Sequence, residues 1–267
     1  AQHTLAQELD AQELGTHFTY PHDIDPQKLG PVQTESSPAA AFCLQTQGLC
    51  YAYEAGTPVL QDISLAIPEG SFVAITGLNG SGKTTLARHF NGLLRPQRGT
   101  VRLFGEDTRD RPIGELARTV GYVFQNPDHQ IFSSTVRQEI AFGLHNLGWA
   151  EDAIESRTAA ALDAFDLAAY AGAQPAALSF GLRRKISIAA VYAMSPRVLI
   201  LDEPTTGLDR CCTQELMAIL DAYHQAGNTI LFITHDMRLV AGRIPHCLVL
   251  HRGRVLFHGE TRTFFRA

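Results

Sequence analysis

The chain has 267 residues, 45% of them hydrophobic, enough for one large α/β domain or two small ones. Its formal net charge of −5 provides no overall basic field for nucleic acid or anionic lipid, so no nucleic-acid partner is expected. No apolar run is long enough to span a bilayer, and the N-terminus lacks the basic-then-apolar order of a signal peptide.

Residues 1–41 read as a tail or linker. Up to Ala40 they carry one basic residue, Lys28, against six acidic ones, and "TESSPAAA" has linker composition. "TLAQELDAQEL" suggests a short helix with little apolar surface to bury. The five cysteines, at 43, 50, 211, 212 and 247, form no metal-type CxxC pair, which suits a reducing compartment. Adjacent Cys211 and Cys212 read as small side chains at a helix start rather than a redox pair.

From Phe42 the pattern turns strand-like. "AFCLQTQGLCYAY" and "VLQDISLAI" alternate as half-exposed antiparallel strands do. Short continuous apolar runs follow: "SFVAIT" (71–76), "VGYVF" (120–124), "VLILD" (198–202) and "TILFIT" (229–234). These predict a parallel sheet buried on both faces, with helical crossovers between strands. Residues 128–178 are Ala-rich without a strand run and predict an inserted helical subdomain, about 128–184. "CLVLH" and "RVLFHG" close the chain around a turn at Arg252–Gly253.

Four stretches carry chemistry. "GLNGSGKTT" (77–85) follows an apolar strand and fits G-x-x-x-x-G-K-[ST]. Gly77, Gly80 and Gly82 let backbone N–H groups wrap a phosphate, with Asn79, Ser81 and Thr85 in the same loop. Lys83 supplies a point charge, and the Thr84 hydroxyl suits Mg²⁺. In "VLILDEPTTGLD" (198–209), Asp202 and Glu203 end a buried strand at the sheet edge where ligands bind. Asp202 suits Mg²⁺, and Glu203 can polarise an attacking water. His235, in "ILFITHD", ends another strand, with a γ-phosphate contact as its functional reading and a surface histidine as its plain one. Gln125 ends the strand before the helical insert, where its amide can meet Mg²⁺ and water.

In this order the stretches resemble the ATP-binding cassette family, over roughly residues 42–265. The resemblance implies a P-loop NTPase, RecA-like α/β core with a mostly parallel sheet, an antiparallel β subdomain and an inserted α-helical subdomain, all within one nucleotide-binding domain, 42–267. It makes ATP and Mg²⁺ the expected cofactors and the chain a transport-coupled ATP hydrolase, with Glu203 and His235 catalytic. Tyr53 stands where the family stacks an aromatic on adenine, and "TGLD", ending in Asp209, matches the D-loop. "NPDHQIF" (126–132) resembles the run that follows the Q-loop in ATPases of energy-coupling-factor transporters, importers of vitamins or of cobalt or nickel. That implies a membrane subunit docking near residues 125–132 and a place at the cytoplasmic face of the plasma membrane.

The family signature Leu-Ser-Gly-Gly-Gln is only partly matched by Leu178, Ser179, Phe180, Gly181 and Leu182. Ser179 also reads as a helix N-cap. Ser179 and Gly181 are the residues expected to meet the γ-phosphate bound by a second cassette. Phe180 replaces a glycine, Leu182 a glutamine, and Lys185 stands for a later arginine. The expectation is an asymmetric pair of cassettes, the partner being a homologous subunit, a fused half or a second copy. The rival readings are another transporter class, a non-transport soluble ATPase and a non-hydrolysing regulatory subunit.

Overall fold

The computed structural model describes residues 41–54 and 56–266. Most of the expected tail, with its short helix, lies outside the described residues. In chain order the elements are β1 (Phe42–Tyr51), β2 (Leu60–Pro68), β3 (Phe72–Gly77), α1 (Lys83–Phe90), β4 (Arg98–Leu103), β5 (Glu106–Asp107), α2 (Ile113–Thr119), β6 (Val120–Val123), α3 (Val136–Asn146), α4 (Glu151–Ala164), α5 (Phe180–Ala193), β7 (Val198–Asp202), α6 (Arg210–Gln225), β8 (Thr229–Ile233), α7 (Met237–Arg243), β9 (His246–His251), β10 (Arg254–Glu260) and α8 (Thr261–Phe264). Two compact units result: one takes the described residues up to Asp110 and those from Leu231 on, the other Arg111–Ile230.

In the first unit, an antiparallel sheet runs in the order β2-β1-β4-β5. The alternation read from the sequence decides which side chains face inward. Leu44 lies opposite Ile67 and Leu103, and all three are buried. Thr46 is also buried, and its hydroxyl donates to the Ile63 carbonyl at 2.9 Å, which offsets the cost of desolvating it. Strand β4 was not anticipated. Of its six residues only Val101 and Leu103 are buried, so its apolar signal is too thin to stand out.

A second set of strands in this unit runs β10-β9-β3-β8. All six residues of β3 are buried, as a parallel strand covered on both faces requires. It pairs parallel with β9, from Val73 opposite His246 to Gly77 opposite Leu250. Strands β9 and β10 form the expected hairpin, and Arg252 and Gly253 both take positive φ, 48° and 76°, as a tight two-residue turn demands.

In the second unit β6 and β7 pair parallel, Val120 opposite Val198 and Val123 opposite Leu201. Helices α3, α4 and α5 pack on one another, burying Ile140, Leu144, Ile154, Leu162, Ile186 and Ile188. Each such side chain contributes about 1.5–3 kcal/mol on leaving water. Residues 128–178 form helices and 3₁₀ turns without a strand, as expected. The expected face of α5 is buried at Ile186, Ala189, Ala190 and Ala193, while Leu182 is half-buried. The compact unit holding this helical stretch also takes in β6, β7 and α6.

Candidate functional site

The first unit carries the phosphate loop. Strand β3 delivers the chain to Gly77, whose φ of 140° belongs to glycine. The position is also crowded: a Cβ there would lie 2.1 Å from the Leu250 carbonyl oxygen of β9. The Ser81 N–H donates to the Leu78 carbonyl at 3.1 Å and closes the turn. Gly82 then caps α1 in the left-handed region with no side-chain cap, so the helix starts at the loop with its positive dipole end uncovered by a capping side chain. Lys83 is buried and donates from Nζ to the carbonyls of Gly77 (2.9 Å) and Leu78 (3.1 Å), which holds its charge over the loop.

Ser81 Oγ is buried without a hydrogen-bond partner, an uncommon state for a hydroxyl and one that a bound oxyanion would relieve. The closing hairpin straps the loop, because the Gly253 N–H donates to the Ser81 carbonyl at 3.1 Å and the Gln61 N–H to the Gly253 carbonyl at 2.8 Å. Asn79 and Gly80 are exposed, Thr84 is half-buried and Thr85 buried. Tyr53 stands beside the helix start, its hydroxyl 3.2 Å from Thr85 Oγ1. Its ring is 54% exposed and meets Tyr51 edge to face, leaving area for a flat ligand. His235 is exposed just past β8, where the Thr234 N–H donates to the Ile75 carbonyl of β3. Gly77 and His235 therefore share one sheet edge.

The second unit carries the acidic pair. Asp202 and Glu203 are 2% and 7% exposed. The Tyr122 hydroxyl donates to Asp202 Oδ2 at 2.9 Å and orients the carboxylate. Glu203 takes φ 50°, a strained value for a residue with a side chain, and so turns sharply away from the strand direction. Asp209 caps α6 by accepting from the Cys212 N–H at 2.8 Å, and that bond is the main reason its carboxyl is held below the usual range. Cys211 and Cys212 thus occupy a helix start as expected.

Ser179 is the N-cap of α5, accepting from the Leu182 N–H at 3.4 Å. Gly181 lies against the "TGLD" turn, since a Cβ there would be 3.8 Å from the Gly207 carbonyl oxygen. Gln125 is exposed, and its carbonyl and that of Phe124 accept from the guanidinium of Arg184. The "NPDHQIF" run is wired to α5: Arg183 donates to Asp128 at 2.8 Å, and Gln130 donates to the Ser187 carbonyl at 3.0 Å. Lys185, by contrast, is half-buried and pairs with Glu215 at 2.9 Å.

The sequence-predicted residues thus fall into two groups. Gly77 to Thr85, Tyr53 and His235 gather in one unit, and Gln125, Ser179, Gly181, Asp202, Glu203 and Asp209 in the other. Sequence reasoning missed Tyr122, hidden in an apolar run, and Arg184, hidden in a run of cations. A signal for Arg184 existed, because it shares a helical face with buried Ile188 and Val191.

The sequence profile of the ABC transporter family matches residues 60–206. An energy-coupling factor transporter ATP-binding protein, EcfA1, of Methanospirillum hungatei JF-1 is 41% identical over 223 residues, 83% of this chain and 80% of that protein. A putative ABC transporter ATP-binding protein of Caldanaerobacter subterraneus subsp. tengcongensis is 44% identical over 223 residues, but this chain spans only 39% of its length. The solved structure of cbiO1 from Clostridium perfringens, part of the ABC transporter complex cbiONQ, superimposes with a TM-score of 0.77 at 36% identity, covering 85% of this chain and 91% of that one. With the phosphate loop and acidic strand end in place, these matches show that the chain belongs to the ABC transporter ATP-binding family.

Proposed function

We propose that this chain binds and hydrolyses ATP as the cassette that energises an energy-coupling-factor-type importer of a micronutrient. The observation that carries the reading is the phosphate loop, with its crowded Gly77, folded-over Lys83, uncapped helix start and unpartnered Ser81 Oγ. The EcfA1 and cbiO1 likenesses supply the transporter class.

In this reading the N–H groups of 77–85 and Lys83 hold the phosphates, and Tyr53 stacks on adenine. Thr84, Asp202 and Gln125 would hold Mg²⁺, a hard cation suited to oxygen ligands and phosphates. When bound, it neutralises charge on the transferring phosphoryl group. Glu203 polarises the attacking water, and His235 contacts the γ-phosphate. Ser179, Gly181 and Asp209 face a second cassette, as a head-to-tail pair requires. The altered signature leaves the site built on Ser179 and Gly181 the slower of two.

A membrane subunit would dock near residues 125–132. Phe132 is 64% exposed and meets exposed Phe142 edge to face at 4.4 Å, an aromatic surface suited to a partner helix. No helix among the described residues is long and apolar enough to cross a membrane. The chain would then sit at the cytoplasmic face through its partner.

The test is ATPase rate against protein concentration, with Glu203→Gln as control. Binding with little turnover, relieved by a partner cassette bearing an unaltered signature, is the expected result. A rate that rises faster than linearly for the chain alone, and is lost in the control, would refute the asymmetry. Failure to bind Mg-ATP at all would refute the whole reading.

A further inference from the structure

One buried cation has no part in the reading above. Arg184 lies on the first turns of α5 with 0% exposure. Its Nη1 donates to the Phe124 carbonyl at 2.8 Å, and its Nη2 to the Gln125 carbonyl. Its Nε is buried without a hydrogen-bond partner. A cation in such a place is costly unless opposite charge and acceptors compensate it. Asp202 and Glu203 supply the charge, and their attraction opposes the downward shift that burial imposes on the guanidinium.

Phe180 completes the arrangement. Its ring lies 5.5 Å from the Arg184 Cζ, within cation–π range. The same ring presses on Gly207 of the "TGLD" turn, where a Cβ would lie 2.6 Å from two ring carbons. The aromatic that stands in place of the signature glycine therefore covers the buried guanidinium and touches the D-loop.

We propose that Arg184 is a positioning residue that fixes the Gln125 loop to the signature helix, and that Phe180 is its cover. Lysine cannot substitute fully, because a planar fork reaches two neighbouring carbonyls at once and an ammonium does not. The Asp128–Arg183 and Gln130–Ser187 bonds secure the far side of the same loop, so Arg184 governs its beginning. Through this contact, movement of α5 reaches Gln125 without passing through the nucleotide.

The inference rests on the ATPase reading for one readout only. The experiment compares the full chain with Arg184→Lys, Arg184→Met and Phe180→Gly by hydrogen exchange, following peptides that cover 124–132 and 198–202. Arg184→Met is expected to speed exchange in 124–132 about tenfold while 198–202 keeps its protection, with Arg184→Lys intermediate and Phe180→Gly raising it about threefold. In steady state, with a partner cassette bearing an unaltered signature present, kcat falls about tenfold for Arg184→Met with KM for ATP within about twofold.

Unchanged exchange in 124–132, or equal exchange for Lys and Met, would overturn the proposal. So would a parallel rise in 198–202, which would make Arg184 a general stabiliser. Should Arg184→Met not fold, Phe180→Gly decides, since its ring is partly exposed and removable. A wild-type chain that fails to bind Mg-ATP, or shows no turnover even with a partner cassette bearing an unaltered signature, would sink the ATPase reading, and the exchange pattern would still judge Arg184.

Discussion

Replacing Gly77 with alanine tests the geometry of the phosphate loop directly. The added Cβ would lie 2.1 Å from the Leu250 oxygen, 3.1 Å from its carbonyl carbon and 2.9 Å from Ser81 Oγ. Two of these are backbone atoms pinned by the β3–β9 ladder, so no side-chain rotation relieves them. The φ of 140° adds a backbone penalty of about 1–3 kcal/mol. Overpacking adds about 1–3 kcal/mol, for a total of about 2–6 kcal/mol. At about 2–4 °C per kcal/mol for a chain of this size, the melting temperature should fall by about 4–24 °C. Gly80→Ala is the matched control. Gly80 also has a positive φ, 78°, but nothing lies within 4 Å of its Cβ position. It should lose only the left-handed penalty of about 1–2 kcal/mol. Thermal unfolding followed by circular dichroism measures both. A Gly77→Ala melting point no lower than that of Gly80→Ala would refute the close-approach argument.

Two further outcomes follow from named side chains. Lys83→Met removes the charge held over Gly77 and Leu78, and titration with a fluorescent ATP analogue should show affinity reduced about 100-fold or more, as expected for a lost charge-assisted phosphate contact. Burial pushes the Cys247 thiol from 9.0 up to about 12, so the fold holds a proton that the unfolded chain releases. Stability from this thiol is complete below pH 9.0 and is lost as pH rises towards about 12, by about 4 kcal/mol at most. Urea unfolding across that range should show the decline, and Cys247→Ala should flatten it.

What was legible in the sequence was local. Gly77, Gly82, Lys83 and Thr84 act through backbone freedom and one charge at fixed spacing, beside a strand whose apolar run is unmistakable. The Ser179 cap was legible for the same reason, because it meets an N–H three residues on, whereas Asp209 reads in the sequence only as the end of the D-loop match and its cap comes from the structure. Arg184 was not, since three adjacent cations read as a solvated face. Only helix phase, set against carbonyls about 60 residues away, decides that the middle cation is the buried one. Strand β4 escaped because its pairing with β1, rather than its own composition, holds it. The roles of Asp128 and Gln130 likewise needed α5 in place to become visible.

The strap that Gly253 lays across Ser81 has a consequence for synthesis. The Ser81 N–H closes the 77–82 turn locally, but the N–H that straps it comes from the β9–β10 hairpin, roughly 170 residues later (253 minus 81). At about 5–20 residues per second the nascent loop waits about 9–34 s for that partner. Until then β3 also lacks β9, and the Leu250 carbonyl that confines Gly77 does not exist. A nascent chain halted before residue 250 would therefore carry the complete loop sequence and no formed cradle, so nucleotide capture would wait until the β9–β10 hairpin has been made.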